Sequence, residues 1–301
     1  MSLNPRQTHI LQEAETRLPR LLFRGFSSQS GGGIDPRLNS AEGIIPHGFL
    51  QGQVPTTIYD IPDLRSMIGG HISGRHISTQ FSSWSADLST AVDFCNRGSI
   101  AIIDTNLLDA HVKIYHVEAL YDAYLAHTNY DFEYLAYGPI TGPAYHCVKY
   151  TDIKRAGMSL SRWVSGVSPL FQLPSYAAET SQLVSTVKRV ANLFRSPGDR
   201  SPDVIISMAV ILMHYKCANG YGQEIDVFNF ILDHFSNEIR SFRRHSFGIS
   251  GLVNPKTYTN GMDMPELELI INTLREIDEF IDTRVLPPRL QRRNRRPPSY
   301  P

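Results

Sequence analysis

Arg24, Ser83 and Glu133 lie in three separate β-rich stretches, Leu22-Phe23-Arg24-Gly25, Phe81-Ser82-Ser83-Trp84-Ser85 and Asp131-Phe132-Glu133-Tyr134-Leu135. Alternation along a strand puts Asp131 and Glu133 on one face and turns Phe132 toward the core. Paired carboxylates suit chemistry at a sugar carbon, because leaving-group departure there builds positive charge that a carboxylate stabilises. Arg24 follows apolar residues, and its planar fork can hold a phosphate, with Gly25 leaving room for the approach. Ser83 and Ser85 share a face, and a short hydroxyl there can hydrogen-bond Glu133 and fix its rotamer. Each of these residues also has an ordinary structural use, so only their joint occurrence is informative. No Gly-x-Ser-x-Gly elbow frames the serines, which argues against a serine nucleophile.

The elements that must position these groups can be read from pattern. A short helix within residues 1–20 leads into a strand at Leu21–Arg24. Ser27–Asn39, with Gly31-Gly32-Gly33, is a loop. Ser40–Pro46 resembles a helical turn ending at Gly43. Ser85 or Asp87 caps a helix over Leu88–Asn96, with Leu88, Ala91, Val92 and Cys95 on one face. Ile100–Asp104 is an unbroken apolar run of central-strand type, and Val112–Val117 alternates. Short strands at Phe132–Tyr137 and Tyr145–Tyr150 follow. Beyond about Arg155 the segments 175–195, 203–217, 222–243 and 265–281 read as amphipathic helices. The Pro- and Arg-rich tail from Arg284 reads as disordered.

The chain has 301 residues, 42% hydrophobic and 19% charged, with 29 basic and 29 acidic residues. That is enough apolar material for a full core, and the balanced charge gives no general affinity for nucleic acid or anionic lipid. Only the basic tail, Arg289 to Arg296, could carry nucleic-acid binding or nuclear import. Cys95, Cys147 and Cys217 are too few and too scattered for a disulfide framework or a zinc site. Histidines such as His71, His76, His111 and His116 lack metal-ligand spacing, so no metal is expected. His47, in Pro46-His47-Gly48, falls where a cleft loop would contact a ribose. No leader or membrane-length apolar run is present, so a cytoplasmic or nuclear protein without membrane attachment is expected.

Taken together, the motifs resemble the cholera-toxin-like mono-ADP-ribosyltransferases. Leu22-Phe23-Arg24-Gly25 followed by Ser40–Phe49 is similar to that family's opening strand, helix and Pro-x-Gly turn. Phe81–Ser85 is similar to its Ser-Thr-Ser strand, and Ile100–Asp104 to its apolar strand. Asp131–Ile140 is similar to its acidic-x-Glu segment. The resemblance covers roughly residues 18–152. His71–Ser85 also looks like a segment of fungal proteins with an enterotoxin-A-like domain.

This resemblance implies an α+β fold: a split, strongly bent β-sandwich with flanking helices over residues 1–155. A helical domain over 156–283 and a disordered basic tail over 284–301 would follow. It implies NAD as substrate, with Arg24 and Gly25 on its phosphates or ribose, beside Ser83, Ser85 and His47. Ser83 would position Glu133, the catalytic carboxylate. The implied activity is transfer of ADP-ribose to a side chain of an unidentified acceptor protein, arginine favoured. The alternatives are an NAD glycohydrolase and a catalytically silent module whose helical region binds a protein partner. Two departures bear on the choice: Trp84 replaces the middle threonine, and Asp131 stands where the family usually has Glu or Gln. The shorter Asp131 puts reach to an incoming guanidinium in question.

Overall fold

The computed structural model describes residues 3–30, 37–52, 57–75, 77–130, 132–160, 171–172, 180–195, 203–217, 226–240 and 265–285. Asp131, Gly31–Gly33 and the tail beyond 285 therefore lie outside the described residues, as do parts of the expected segments 175–195 and 222–243.

The fold is α+β and centres on an antiparallel sheet. Its strands are β1 (Leu21–Phe26), β3 (Phe81–Ser85), β4 (Ser99–Asp104), β5 (Lys113–His116), β6 (Glu133–Tyr137) and β8 (Tyr145–Lys149), in the order β5-β6-β3-β1-β4-β8. A separate two-stranded ladder joins β2 (Gly43–Ile44) to β7 (Ile140–Thr141). The expected helical turn at Ser40–Gly43 is absent, because Gly43 and Ile44 enter this ladder.

The ladders are unequal. β1 pairs with β4 over six registered residues and β3 with β6 over five, but β1 and β3 share one pair, Phe23↔Ser85. Ser85 is the last residue of β3, so along this seam β1 and β3 are joined by the one registered pair at the strand end.

Packing follows the same division. On one face, Leu22, Trp84, Ala101, Ile103, Tyr134 and Ala136 share a cluster that runs across the seam. On the other face there are two clusters. Phe81, Leu135 and Tyr137 pack with α1 (Pro5–Glu15) and α3 (Leu64–Ile72), through Leu11 and Ile68. Phe23, Ile100, Ile102 and Val148 pack with α4 (Leu88–Cys95) and with helices from the C-terminal region. β4 is thus buried on both sides, as its continuous apolar run requires.

The C-terminal helices include α7 (Thr180–Leu193), α8 (Asp203–Cys217), α9 (Val227–His234), α10 (Ser236–Arg240) and α11 (Pro265–Val285). They share one apolar cluster with the sheet. α8 departs from the expected amphipathic pattern: every residue from Asp203 to His214 is buried, so it is the central helix of this region. α11 continues through Arg284 and Val285, two residues into the expected tail. Among the described residues no helix is long and apolar enough to cross a membrane.

Buried charges tie the two regions together. Arg20, just before β1, donates to Asp104 at the end of β4 at 2.9 Å and also to Asp203 at the start of α8. Burial lowers the Arg20 pKa, but the two carboxylates outweigh it and leave the guanidinium firmly charged.

Candidate functional site

Arg24 sits on β1 where the sheet opens. Its neighbour Gly25 points the other way, onto α4, where a Cβ would lie 1.7 Å from the Ala91 carbonyl oxygen and 2.5 Å from the Cys95 nitrogen. Gly25 therefore lets helix and strand touch, and does not clear a path to a phosphate; successive residues on a strand face opposite sides. Arg24 reaches across the opening instead. Its Nη1 donates to the Ser83 carbonyl at 2.7 Å and its Nε to Asn39 Oδ1 at 3.0 Å. Nη2 makes no hydrogen bond to the described residues. Burial lowers the Arg24 pKa to about 10, opposed by Tyr145 and Glu133, so the group stays cationic at neutral pH.

Glu133 opens β6, half-buried, with the Ser83 hydroxyl close enough to act on its charge. Burial raises its pKa above the usual carboxylate range, while the Ser83 hydroxyl and the Arg24 charge pull it back. Three residues distant in sequence are thus neighbours: the Arg24 guanidinium sits on the Ser83 carbonyl, and the Glu133 carboxylate lies within electrostatic reach of Arg24 and Ser83.

His71, which pattern reading treats as one unremarkable histidine among eleven, completes the group. It lies in the last turn of α3. Its Nδ1 is 2.8 Å from Thr79 Oγ1 and its Nε2 is 3.0 Å from Ser83 Oγ. Burial and the Arg24 charge lower its pKa to about 4, so the imidazole is neutral at physiological pH. The protons can then be placed. With Ser83 turned toward an ionised Glu133, Ser83 Oγ accepts from His71 Nε2–H and Nδ1 accepts from the Thr79 hydroxyl, whose other acceptor is the Phe81 carbonyl at 3.3 Å. Thr79 is buried, and the Phe81 amide donates to its oxygen at 3.4 Å.

The other expected site residues fall differently. Ser85 faces Glu133 across the ladder, but it is buried and its oxygen accepts the Asp87 amide at 3.0 Å. It shapes the turn into α4, whose cap is Asp87, accepting from the Ser89 and Thr90 amides. His47 is exposed on α2 (His47–Leu50). The amide of the next residue, Gly48, donates to the Thr79 carbonyl at 2.8 Å, tying this helix to the residue that holds His71. Phe132, expected to point into the core, lies half-buried in the turn before β6, with its carbonyl accepting the Ala86 amide at 3.0 Å. Asp131 is outside the described residues. Among those residues, no group of three or more His, Cys, Asp or Glu is placed to hold a metal ion.

The signal for His71 was present in the sequence. Leu64, Met67, Ile68 and His71 follow helical spacing, and Asp63 caps the helix by accepting the Ser66 amide at 3.3 Å. No curated protein and no solved structure matches the chain. Residues 17–153, which carry every side chain of this group, match a family model described as a domain of unknown function (DUF7587).

Proposed function

We propose that the chain is a mono-ADP-ribosyltransferase, which cleaves the nicotinamide–ribose bond of NAD and passes ADP-ribose to a protein side chain, arginine favoured. The observation that carries this reading is the convergence of Arg24, Ser83 and Glu133 at one opening in the sheet. The single registered pair between β1 and β3 supports reading the sheet as the split, bent sandwich of that family.

The residues present fit the substrate. Arg24, held in place through Nε and Nη1, turns a charged Nη2 to a phosphate oxygen. Glu133 offers a carboxylate to the positive charge that builds on the ribose as nicotinamide leaves. Ser83, oriented by neutral His71, holds that carboxylate in one rotamer. Asp131 would meet the acceptor.

Incubation with NAD labelled in its adenine half tests the proposal. Label on protein is the expected result. Release of free ADP-ribose alone would make the protein a hydrolase, and intact NAD would make it a binding module. Full turnover by Glu133→Gln would overturn the residue assignment.

A further inference from the structure

A cavity of about 900 Å³ opens between α1, α3 and the helix α5 (Val117–Asp122), and none of Arg24, His71, Ser83 or Glu133 lines it. Tyr121 and Tyr124 form part of its wall, 46% and 65% exposed. Tyr124 is also strained, with φ at +57°. The reason is local: the Leu125 amide donates to the Leu120 carbonyl at 2.8 Å and the Tyr124 amide to the Tyr121 carbonyl at 2.8 Å. This is the Schellman closure of α5, with Tyr124 at the left-handed position that glycine ordinarily fills. An aromatic residue there is disfavoured by backbone sterics and gains little burial in return, so neither folding term accounts for it.

The rest of the wall supplies charge. Arg6 from α1 and Arg65 from α3 line the same cavity and make no hydrogen bond or ion pair with the described residues. Arg17 is already paired with Glu13, and His116 lies 3.6 Å from Glu118. Among the described residues this leaves Asp122 as the one lining carboxylate without a partner. Beyond the paired groups, the cavity therefore offers two guanidinia, two exposed rings and one carboxylate.

We propose that this cavity is a second binding site, for a phosphorylated nucleoside, independent of the opening at Arg24 and of the activity assigned to it. Arg6 and Arg65 take the phosphate by charge-assisted hydrogen bonds. The Tyr124 ring, held outward by the closure of α5, takes the face of the base. Asp122 accepts from the ribose hydroxyls. A simple polyanion would be repelled by Asp122, and an apolar ligand would leave both arginines unused.

Photolabelling of the full chain with 8-azido-AMP, followed by peptide mapping, tests this. Label is expected on the peptide holding Tyr121 and Tyr124, competed by AMP and retained in Arg24→Ala. The pair Arg6→Ala with Arg65→Ala should reduce it at least tenfold. Tyr124→Gly gives the sharper result: labelling falls while the melting temperature rises by about 2 °C or more, because strain is relieved as the ring is lost. Label confined to peptides of β1, β3 and β6, absence of label, or labelling indifferent to these substitutions would overturn the proposal. Failure of NAD turnover leaves the Tyr124 label unchanged, so the two readings stand or fall separately.

Discussion

His71 meets Ser83 at 3.0 Å, Nε2 to Oγ, and the same hydroxyl helps hold down the Glu133 pKa. The last turn of α3 is thereby tied to β3 beside the start of β6. Because His71 is neutral down to about pH 4, it serves here as an orienting donor and is not a general acid at physiological pH.

Thr79 sets that orientation from behind, so it is a positioning residue. Thr79→Val removes the donor to Nδ1, and the imidazole can then adopt the tautomer that accepts from Ser83 and withdraws it from Glu133. One lost hydrogen bond of about 0.5–1.5 kcal/mol corresponds to about a two- to twelvefold fall in kcat. KM for NAD should hold, and Thr79→Ser should restore the rate. An unchanged kcat in Thr79→Val, or a loss that Thr79→Ser fails to rescue, would break the relay from Thr79 to Glu133.

The pH profile should follow Glu133. Its pKa is raised by burial and held down by Ser83 and Arg24, and in the proposed reaction the carboxylate must be ionised to stabilise positive charge. Activity therefore falls as pH drops through the raised value. Removing the Arg24 charge raises that value further, so Arg24→Gln should move the acid limb of kcat/KM to higher pH, beyond any loss of affinity. Arg24→Lys retains the charge and should move it less. Rates across pH 5–9 for the three proteins decide the matter, and superimposable acid limbs would show that Glu133 is not the group being titrated.

The strands that hold the proposed site were legible because aromatic residues flank short segments at Phe81–Trp84 and Tyr134–Tyr137, and apolar residues run unbroken at Ile100–Ile103. α3 was hidden by Gly69-Gly70 in its interior, a pair that local propensity counts against a helix. Tertiary contact accounts for them: a Cβ on Gly69 would lie 3.1 Å from the His127 ring, and one on Gly70 2.4 Å from Ile77. Missing α3 meant missing His71. Gly25 differs from its sequence expectation for another reason: it adjoins Arg24 in sequence, but strand alternation sends the two to opposite sides.

Gly25→Ala separates these two roles. The added methyl would meet backbone of α4, which cannot move like a side-chain tip. Overpacking of this kind costs about 1–3 kcal/mol, occasionally more. The expected outcome is a lower urea midpoint with NAD affinity per folded molecule unchanged. A glycine needed for substrate approach would show the reverse, intact stability with weakened affinity.

The Arg20 network gives a prediction about how the C-terminal helices bear on the site. Arg20 is four residues before Arg24, and its partners Asp104 and Asp203 belong to β4 and α8. Arg20→Met would leave two buried carboxylates without their cation, which costs about 3–5 kcal/mol. Asp203→Leu would remove one of those carboxylates, so in the Arg20→Met background its own cost should shrink. The double variant is therefore expected to be more stable than the sum of the single effects implies, by a coupling of about 1 kcal/mol or more. Urea titrations of the four proteins measure it. Strict additivity would mean that α8 is held to the sheet by apolar packing alone, with no contribution from the charge that links it to the strand of Arg24.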